Sequence, residues 1–574
     1  MTGTFLSRLL GFARDAAIAW LLGGTGAADA LTTALRIPWI ARRMLGEGTL
    51  SLPLVASLVH DQNHECPDGN AGPCRFPPAP DARLISTVQF CALLSGIAIS
   101  GLGVLGAYLV VPLLAPGLAD SPQLLQQAVL LFQICLPYLL FALLAAVAMA
   151  ELHSRAHFLI PSLSPSLFNM TMLAAAACAV FCPGNLTGIV LATGVLLGGC
   201  VQWLLLSTAA RRLRKKPQTQ PLLPNSHRSF FSPNVPENSN ESPHASPCAA
   251  PPIPCAGTSK IPFISSHAWQ VLGRIPAGIF GAAVPQIAFL IASGLTSFLP
   301  DGHMASLFYA ERLLEFPLGV LGAAVGMTAA PQMAKLGANL GKQMDKNSVT
   351  TPEQGHDTTL FVRTTRDSQL LSLALSLPAA AGLAAVAVPL VSLVLGHGAF
   401  DQSSVAATSL ALCAYAPGLP AYALSRPLLA ACQGLKEPSL PNSRPQGKWS
   451  PAWAGLCALL VSLICGSLLL FAVGPWGPPL GVSLGLWCQA ILLRCWLKRR
   501  IRQTLAIPVR SLCTILAGSA GVLLAAGTVV RICEGMSSLS TLVLAIPAGV
   551  LVYATVIFVG DRTLLPGHRF TKEA

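Results

Sequence analysis

The sequence predicts an all-α fold that crosses a membrane many times, and three observations carry that prediction. Charged residues make up only 10% of the chain and hydrophobic residues 53%, with a mean hydropathy of +0.62; a soluble domain carries roughly 25% charged residues. Apolar stretches long enough to cross a bilayer recur from one end of the chain to the other. Gly and Pro, at 50 and 46 residues, are plentiful, as in membrane helices, where neighbouring helices satisfy the backbone groups these residues free.

A spanning helix needs about 20 mostly apolar residues. In chain order that criterion selects 5–23, 28–58, 84–114, 124–150, 159–181, 187–210, 264–298, 304–331, 368–396, 402–432, 452–473, 479–497, 507–530 and 539–560, fourteen segments in all. The first carries Arg8, Arg14 and Asp15 and lacks the ordered regions of a signal peptide. The second is polar in part, so hydropathy alone undervalues it. Pro112, Pro137, Pro285, Pro317, Pro378 and Pro389 fall inside segments and predict kinks there.

Orientation follows from Lys and Arg. With the N-terminus in the cytoplasm, loops after even-numbered segments face the cytoplasm. Those loops hold Arg75, Arg83, Arg155, Arg211, Arg212, Arg214, Lys215, Lys335, Lys342, Arg363, Lys436, Lys498 and Arg499 among others, whereas loops after odd-numbered segments offer only Arg531. The asymmetry predicts both termini in the cytoplasm. It also accounts for the net charge of +13 with no nucleic-acid partner. Residues 213–263, rich in Pro, Ser and Asn with no apolar period, read as a disordered cytoplasmic linker. The expected organisation is a six-segment unit at 1–212, that linker, a second six-segment unit at 264–500, and two further helices with a tail at 501–574. The 17 cysteines mostly sit inside apolar runs, where a thiol acts as a small hydrophobe, and they suggest no disulfide framework.

The informative residues are the charges inside the membrane. One at mid-bilayer costs roughly 2.5–3.5 kcal/mol on insertion scales and usually faces a bundle interior or a water-filled cavity. Segment one has Arg8, Arg14 and Asp15; segment two has Asp29, Arg36, Arg42, Arg43 and Glu47; segment eight has Glu311, Arg312 and Glu315. Arg8 and Asp15 are seven apart, as are Asp29, Arg36 and Arg43 in succession, which places each set on one helical face. Arg43 and Glu47, four apart, can pair. Arginines converging on one cavity would bind phosphate oxygens bidentately, with the acids holding them in place. Plainer readings also fit: Arg42 and Arg43 as snorkelling interfacial residues, Arg8 as an N-terminal anchor, Arg14–Asp15 as a structural ion pair.

At these residues the chain resembles a known family. Ser7-Arg8-Leu9-Leu10-Gly11-Phe12-Ala13-Arg14-Asp15, then Ala28-Asp29-Ala30, Arg42-Arg43 and Gly46-Glu47-Gly48, are similar to the opening signature of the MurJ (MviN) family of lipid II flippases. Tyr309-Ala310-Glu311-Arg312-Leu313-Leu314-Glu315-Phe316-Pro317 resembles that family's eighth-helix motif; Pro161, Pro165 and Asn169 fit the fifth helix, and Gly396-His397-Gly398-Ala399-Phe400 the turn after the ninth. The resemblance implies two six-helix lobes of the multidrug/oligosaccharidyl-lipid/polysaccharide exporter type plus two C-terminal helices. It implies a bacterial cytoplasmic-membrane transporter, not an enzyme, that moves lipid II between leaflets by alternating access. The implied partners are lipid II, membrane lipids and cell-wall synthesis proteins. The implied substrate-binding set is Arg8, Arg14, Asp15, Asp29, Arg42, Glu47, Glu311, Arg312 and Glu315, with Arg14 and Arg312 foremost for the pyrophosphate, and 507–560 bordering a groove for the prenyl tail. Glu311 stands where the family usually has Asp, and 213–263 is longer than the family norm. Segments 264–298 and 452–473 hold no Asp or Glu, so the sodium site of some members is not carried over.

Other motifs add little. His60, His64, Cys66 and Cys74 share one loop but match no zinc spacing, and no phosphate-binding glycine loop is present. No metal and no cofactor are expected. The rival functions are export of drugs or of another lipid-linked oligosaccharide, and an integral-membrane enzyme acting on a lipid-linked sugar. The enzyme would need an acidic metal-binding motif or an exposed catalytic base, and neither is found.

Overall fold

The computed structural model describes residues 2–46, 82–155, 157–215, 283–318, 336–337, 352–435, 451–501, 503 and 505–561. Among them every regular element is a helix. The first group is α1 (Thr2–Leu22), α2 (Gly26–Gly46), α3 (Ala82–Leu105), α4 (Ala107–Leu114), α5 (Pro122–Cys135), α6 (Tyr138–Ser154), α7 (Leu159–Val180) and α8 (Gly184–Lys215). Then come α9 (Ala283–Thr296), α10 (303–318), α11 (Pro352–Ala385), α12 (Ala387–Leu395), α13 (Gln402–Tyr415) and α14 (Gly418–Gly434). The last four are α15 (Pro451–Val473), α16 (Gly477–Ile501), α17 (Val509–Ile532) and α18 (Ser538–Gly560).

Eight runs of the described residues are long and apolar enough to cross a membrane, or nine when α13 and α14, bent by 44°, count as one. The longest run, Ala452–Ile501, is a hairpin. The chain reverses at the 3-10 turn Gly474–Trp476, and α15 returns against α16 so closely that a Cβ on Gly481 would lie 2.5 Å from Cα of Gly466. Segments 28–58, 264–298 and 304–331 extend in part outside the described residues.

The breaks have chemical causes. Pro389 has no N–H to bond the carbonyl of Ala385, and α11 stops at Ala385 before α12 begins. Pro137 and Pro417 sit in the breaks between α5 and α6 and between α13 and α14. Pro112 and Pro378 are accommodated inside α4 and α11. Residues 352–366, expected as part of a cytoplasmic loop, are instead the polar first turns of α11. Helix elongation adds one hydrogen bond per residue whether or not the residue is in lipid, so helicity outruns hydropathy. In the same way α8 continues to Lys215, past the expected linker start at 213; the remainder of 213–263 lies outside the described residues.

In the N-terminal part α1 packs on α7, α7 and α6 on α8, α3 on α6, and α2 on α5; in the C-terminal part the α15–α16 hairpin packs on α14, and α11 lies against α14 and α17, with α18 on α17. One apolar core runs through both parts, including Ile18, Leu31, Phe132, Phe289, Phe308 and Tyr415. Large apolar side chains such as Leu105, Phe471 and Val559 are almost fully exposed, a distribution suited to lipid rather than water. The two parts also meet at the end of the bundle where α1 finishes. The N–H of Ala399 donates to the carbonyl of Trp20 at 2.9 Å. Gly302, at φ +89°, abuts the carbonyl of Gly24 with no room for a Cβ. Asp29 accepts hydrogen bonds from the N–H groups of Gly302 (2.6 Å) and Ala305 (2.7 Å), capping α10 from α2.

Substituting Gly481 by Val is expected to splay the α15–α16 hairpin. Thermal unfolding of the purified protein in detergent should show a loss of about 1–3 kcal/mol, while the same change at exposed Gly101, which has nothing within 4 Å of its Cβ position, should cost far less.

Candidate functional site

The charges on α1, α2 and α10 converge on a single buried network. Arg36 and Arg43, seven apart on α2, both face α10. Arg36 Nη1 donates to Glu311 at 2.5 Å and Arg43 Nη1 to Glu315 at 2.5 Å. Glu315 also accepts from Arg312 at 2.7 Å. Arg43 further contacts the hydroxyl of Tyr422 at 3.2 Å, and the Gln286 amide oxygen, once correctly oriented, accepts from it at 2.9 Å. Four helices thus meet at one guanidinium: α2, α9, α10 and α14.

On the other side, Arg14 Nε and Nη2 close on Asp15 at 2.9 and 2.7 Å, while Nη1 donates to Asn169 Oδ1 at 2.9 Å. Asn169 Nδ2 donates to the carbonyl of Ser7 at 2.8 Å, which fixes its amide so that the oxygen faces Arg14 and, at 3.4 Å, Arg42. The acids and the amide orient the arginines but do not saturate them. Among the described residues Arg36 Nε and Nη2, Arg312 Nε and Trp39 Nε1 are buried with no hydrogen-bond partner. Buried donors of this kind favour an anion or water.

Trp39 is the hub of the arginines. The guanidinium carbons of Arg14, Arg42 and Arg312 lie 4.1, 5.3 and 5.3 Å from its ring centroid. Arg42 also sits 4.3 Å over Phe168 and Arg312 4.9 Å over Phe308. Each such contact contributes about 0.5–2 kcal/mol and replaces hydration that burial removes. Arg14, Arg36, Glu311 and Asp15 are 4%, 4%, 2% and 6% exposed. Among the described residues the five guanidinium groups of Arg14, Arg36, Arg42, Arg43 and Arg312 face three carboxylates, Asp15, Glu311 and Glu315.

Of the residues singled out in the sequence, Arg14, Asp15, Arg42, Glu311, Arg312 and Glu315 lie in this network. Arg8 is half-buried on α1, with no ion pair among the described residues. Asp29 stands apart from the arginines, on the α10 cap. Glu47, and with it the expected Arg43–Glu47 pair, lies outside the described residues, as do His60, His64, Cys66 and Cys74. Among the described residues no cluster of three or more His, Cys, Asp or Glu is placed to hold a metal. Sequence reasoning left Arg36, Trp39, Arg43 and Asn169 out of the binding set. Arg36, Trp39 and Arg42 recur at a spacing of three on α2, a helix-face signal that could have marked the tryptophan; Asn169, 155 residues from Arg14, gave no local signal.

Comparison with known proteins places this geometry in context. Residues 18–547 match the family model described as lipid II flippase MurJ. The lipid II flippase MurJ of Burkholderia cenocepacia is 27% identical over 507 residues, covering 87% of this chain and 82% of its own length. A solved lipid II flippase MurJ in an inward closed conformation superposes with a TM-score of 0.69 over 98% of this chain and 99% of that one, at 20% identity. An inward-facing multidrug resistance MATE family transporter of the MOP superfamily gives 0.57 over 86% and 94%, at 11% identity. At these identities the two structural likenesses establish a shared fold.

Glu311→Gln should leave Arg36 as an uncompensated buried charge and cost about 3–5 kcal/mol in stability. The double substitution Arg36→Met/Glu311→Leu, which removes both charges, should recover most of that loss in the same thermal-unfolding measurement.

Proposed function

The chain belongs to the lipid II flippase MurJ family, and from that premise we propose that it moves lipid II from the inner to the outer leaflet of the bacterial cytoplasmic membrane. The observation that carries the reading is the convergence of five guanidinium groups at the junction of α1, α2 and α10, where the described residues supply three carboxylates. The pyrophosphate that joins prenyl tail to sugar is doubly anionic and suits a site where guanidinium groups outnumber carboxylates. Arg14, Arg42 and Arg312 around Trp39 are the groups that bind it, with Asp15 and Glu315 keeping their forks oriented. Arg8 and Asp29 belong to the path rather than to the pyrophosphate contact.

Both termini are cytoplasmic in this reading, so α1 finishes on the outer side of the membrane. The close contacts of Gly24 with Gly302 and of Trp20 with Ala399 then close the outer end, a state that accepts substrate from the inner leaflet. Release requires α2 and α10 to part, which breaks the two bonds from α10 to Asp29. Membrane potential acting on the buried charges supplies about 2.3 kcal/mol per charge per 100 mV. The two units at 1–212 and 264–500 move against one another, and 501–574 borders the path of the prenyl tail. Cell-wall synthesis proteins at the outer leaflet receive the product.

Depletion of the protein should reduce the lipid II exposed on the outer leaflet; undiminished exposure with intact growth would overturn the reading. Arg14→Ala and Arg312→Ala should each abolish complementation of a depleted strain while the protein still inserts, since losing one partner of a buried charged contact costs about 2–5 kcal/mol, thirtyfold or more in affinity. Normal complementation by both would remove the proposed pyrophosphate site. Trp39→Phe should retain most transport and Trp39→Ala lose it several-fold, measured as lipid II exposure in the same strains.

A further inference from the structure

Away from the central network, a groove of about 420 Å³ opens between α3, α6 and α8. Phe90, Leu93, Leu144 and Trp203 form its apolar wall, and Arg211 and Arg214 stand at its rim. Phe90 and Leu93 are exposed. Trp203 lies eight residues before Arg211 on α8, about 12 Å along the helix axis. The groove therefore runs from a basic end to an apolar end over about the length that separates a lipid phosphate from its upper acyl chain.

The rim carries positive charge in excess. Glu151, fully buried on α6, accepts from Arg214 Nε at 2.6 Å and Nη2 at 2.5 Å, and pairs with Arg155 at 3.5 Å. That pairing locks Arg214 in place and ties α6 to α8. Arg211 is exposed and has no ion pair among the described residues. Glu151 is thus shared by Arg155 and Arg214, and Arg211 adds a positive charge that no carboxylate among the described residues pairs.

We propose that this groove binds an anionic glycerophospholipid, its phosphate at Arg211 and Arg214 and one acyl chain along Phe90, Leu93 and Leu144. The surplus charge selects an anionic head over a zwitterionic one, and the apolar wall selects a lipid over a soluble anion. A lipid seated here bridges α3, α6 and α8, helices that carry none of the pyrophosphate contacts. The leaflet depends on the orientation proposed above; the lipid class does not.

Trp203 provides the readout. The full chain, reconstituted in nanodiscs, is titrated with phosphatidylglycerol or phosphatidylcholine brominated on one acyl chain. The chain has nine tryptophans, so the Trp203 signal is the difference from Trp203→Phe. Brominated phosphatidylglycerol should quench that signal with about fivefold higher apparent affinity than phosphatidylcholine, the worth of one arginine at an anionic surface. Arg211→Gln should bring the two lipids level. Leu93→Phe, which narrows the groove without altering charge, should weaken both equally. Equal quenching by the two lipids in the unaltered chain, or a preference that survives Arg211→Gln, would overturn the proposal. Displacement of phosphatidylglycerol by undecaprenyl pyrophosphate would overturn it as well, by assigning the groove to the transported lipid. None of these outcomes depends on whether the chain flips lipid II.

Discussion

Holding surplus positive charge in a buried, low-dielectric core is the constraint on which the rest of the structure depends. Like charges at these separations repel, and each guanidinium removed from water loses hydration worth several kcal/mol. The fold meets that cost in three ways. The acids of α10 reach across to α2, so that Arg36 and Arg43 are each met by a carboxylate. Trp39, Phe168 and Phe308 offer ring faces to the arginines that acids do not saturate. Asn169, pinned by the Ser7 carbonyl, turns its oxygen toward two of them. What remains is a site oriented and still electron-poor, which is the condition for binding an anion without first breaking a strong internal pair.

The same pairs join the site to the contact between two helices. Arg36–Glu311 and Arg43–Glu315 join α2 to α10, and so does the Asp29 cap at the start of α2. Glu315, which orients Arg312, is also the acid that holds Arg43, so the arginine site and the α2–α10 contact share one carboxylate.

Much of this was legible in the sequence for physical reasons. Low charge and recurrent apolar runs exclude a soluble fold, because no other solvent would keep so much apolar surface covered. The clustering of Lys and Arg on alternate loops predicts an orientation. Charges at helical spacing inside apolar segments predict a shared buried face, and the signatures around Arg14 and Arg312 predict the family to which residues 18–547 belong. Hydropathy misjudged helix ends, as at 352–366 and 213–215, because backbone hydrogen bonding continues where the membrane stops.

Sequence by itself therefore determined the solvent, the helical class, the family and the list of charges that had to be explained. Only tertiary structure decided which charges meet. Arg36, with no acid three or four residues away on α2, is held by Glu311, 275 residues away; Asp29, in line with the arginines, serves a helix terminus instead. Trp39 becomes a hub because three arginines from three helices surround it. Partnership between buried charges depends on distances of a few ångströms across helix interfaces, and those distances are fixed by packing among residues far apart in the chain, which no local spacing encodes.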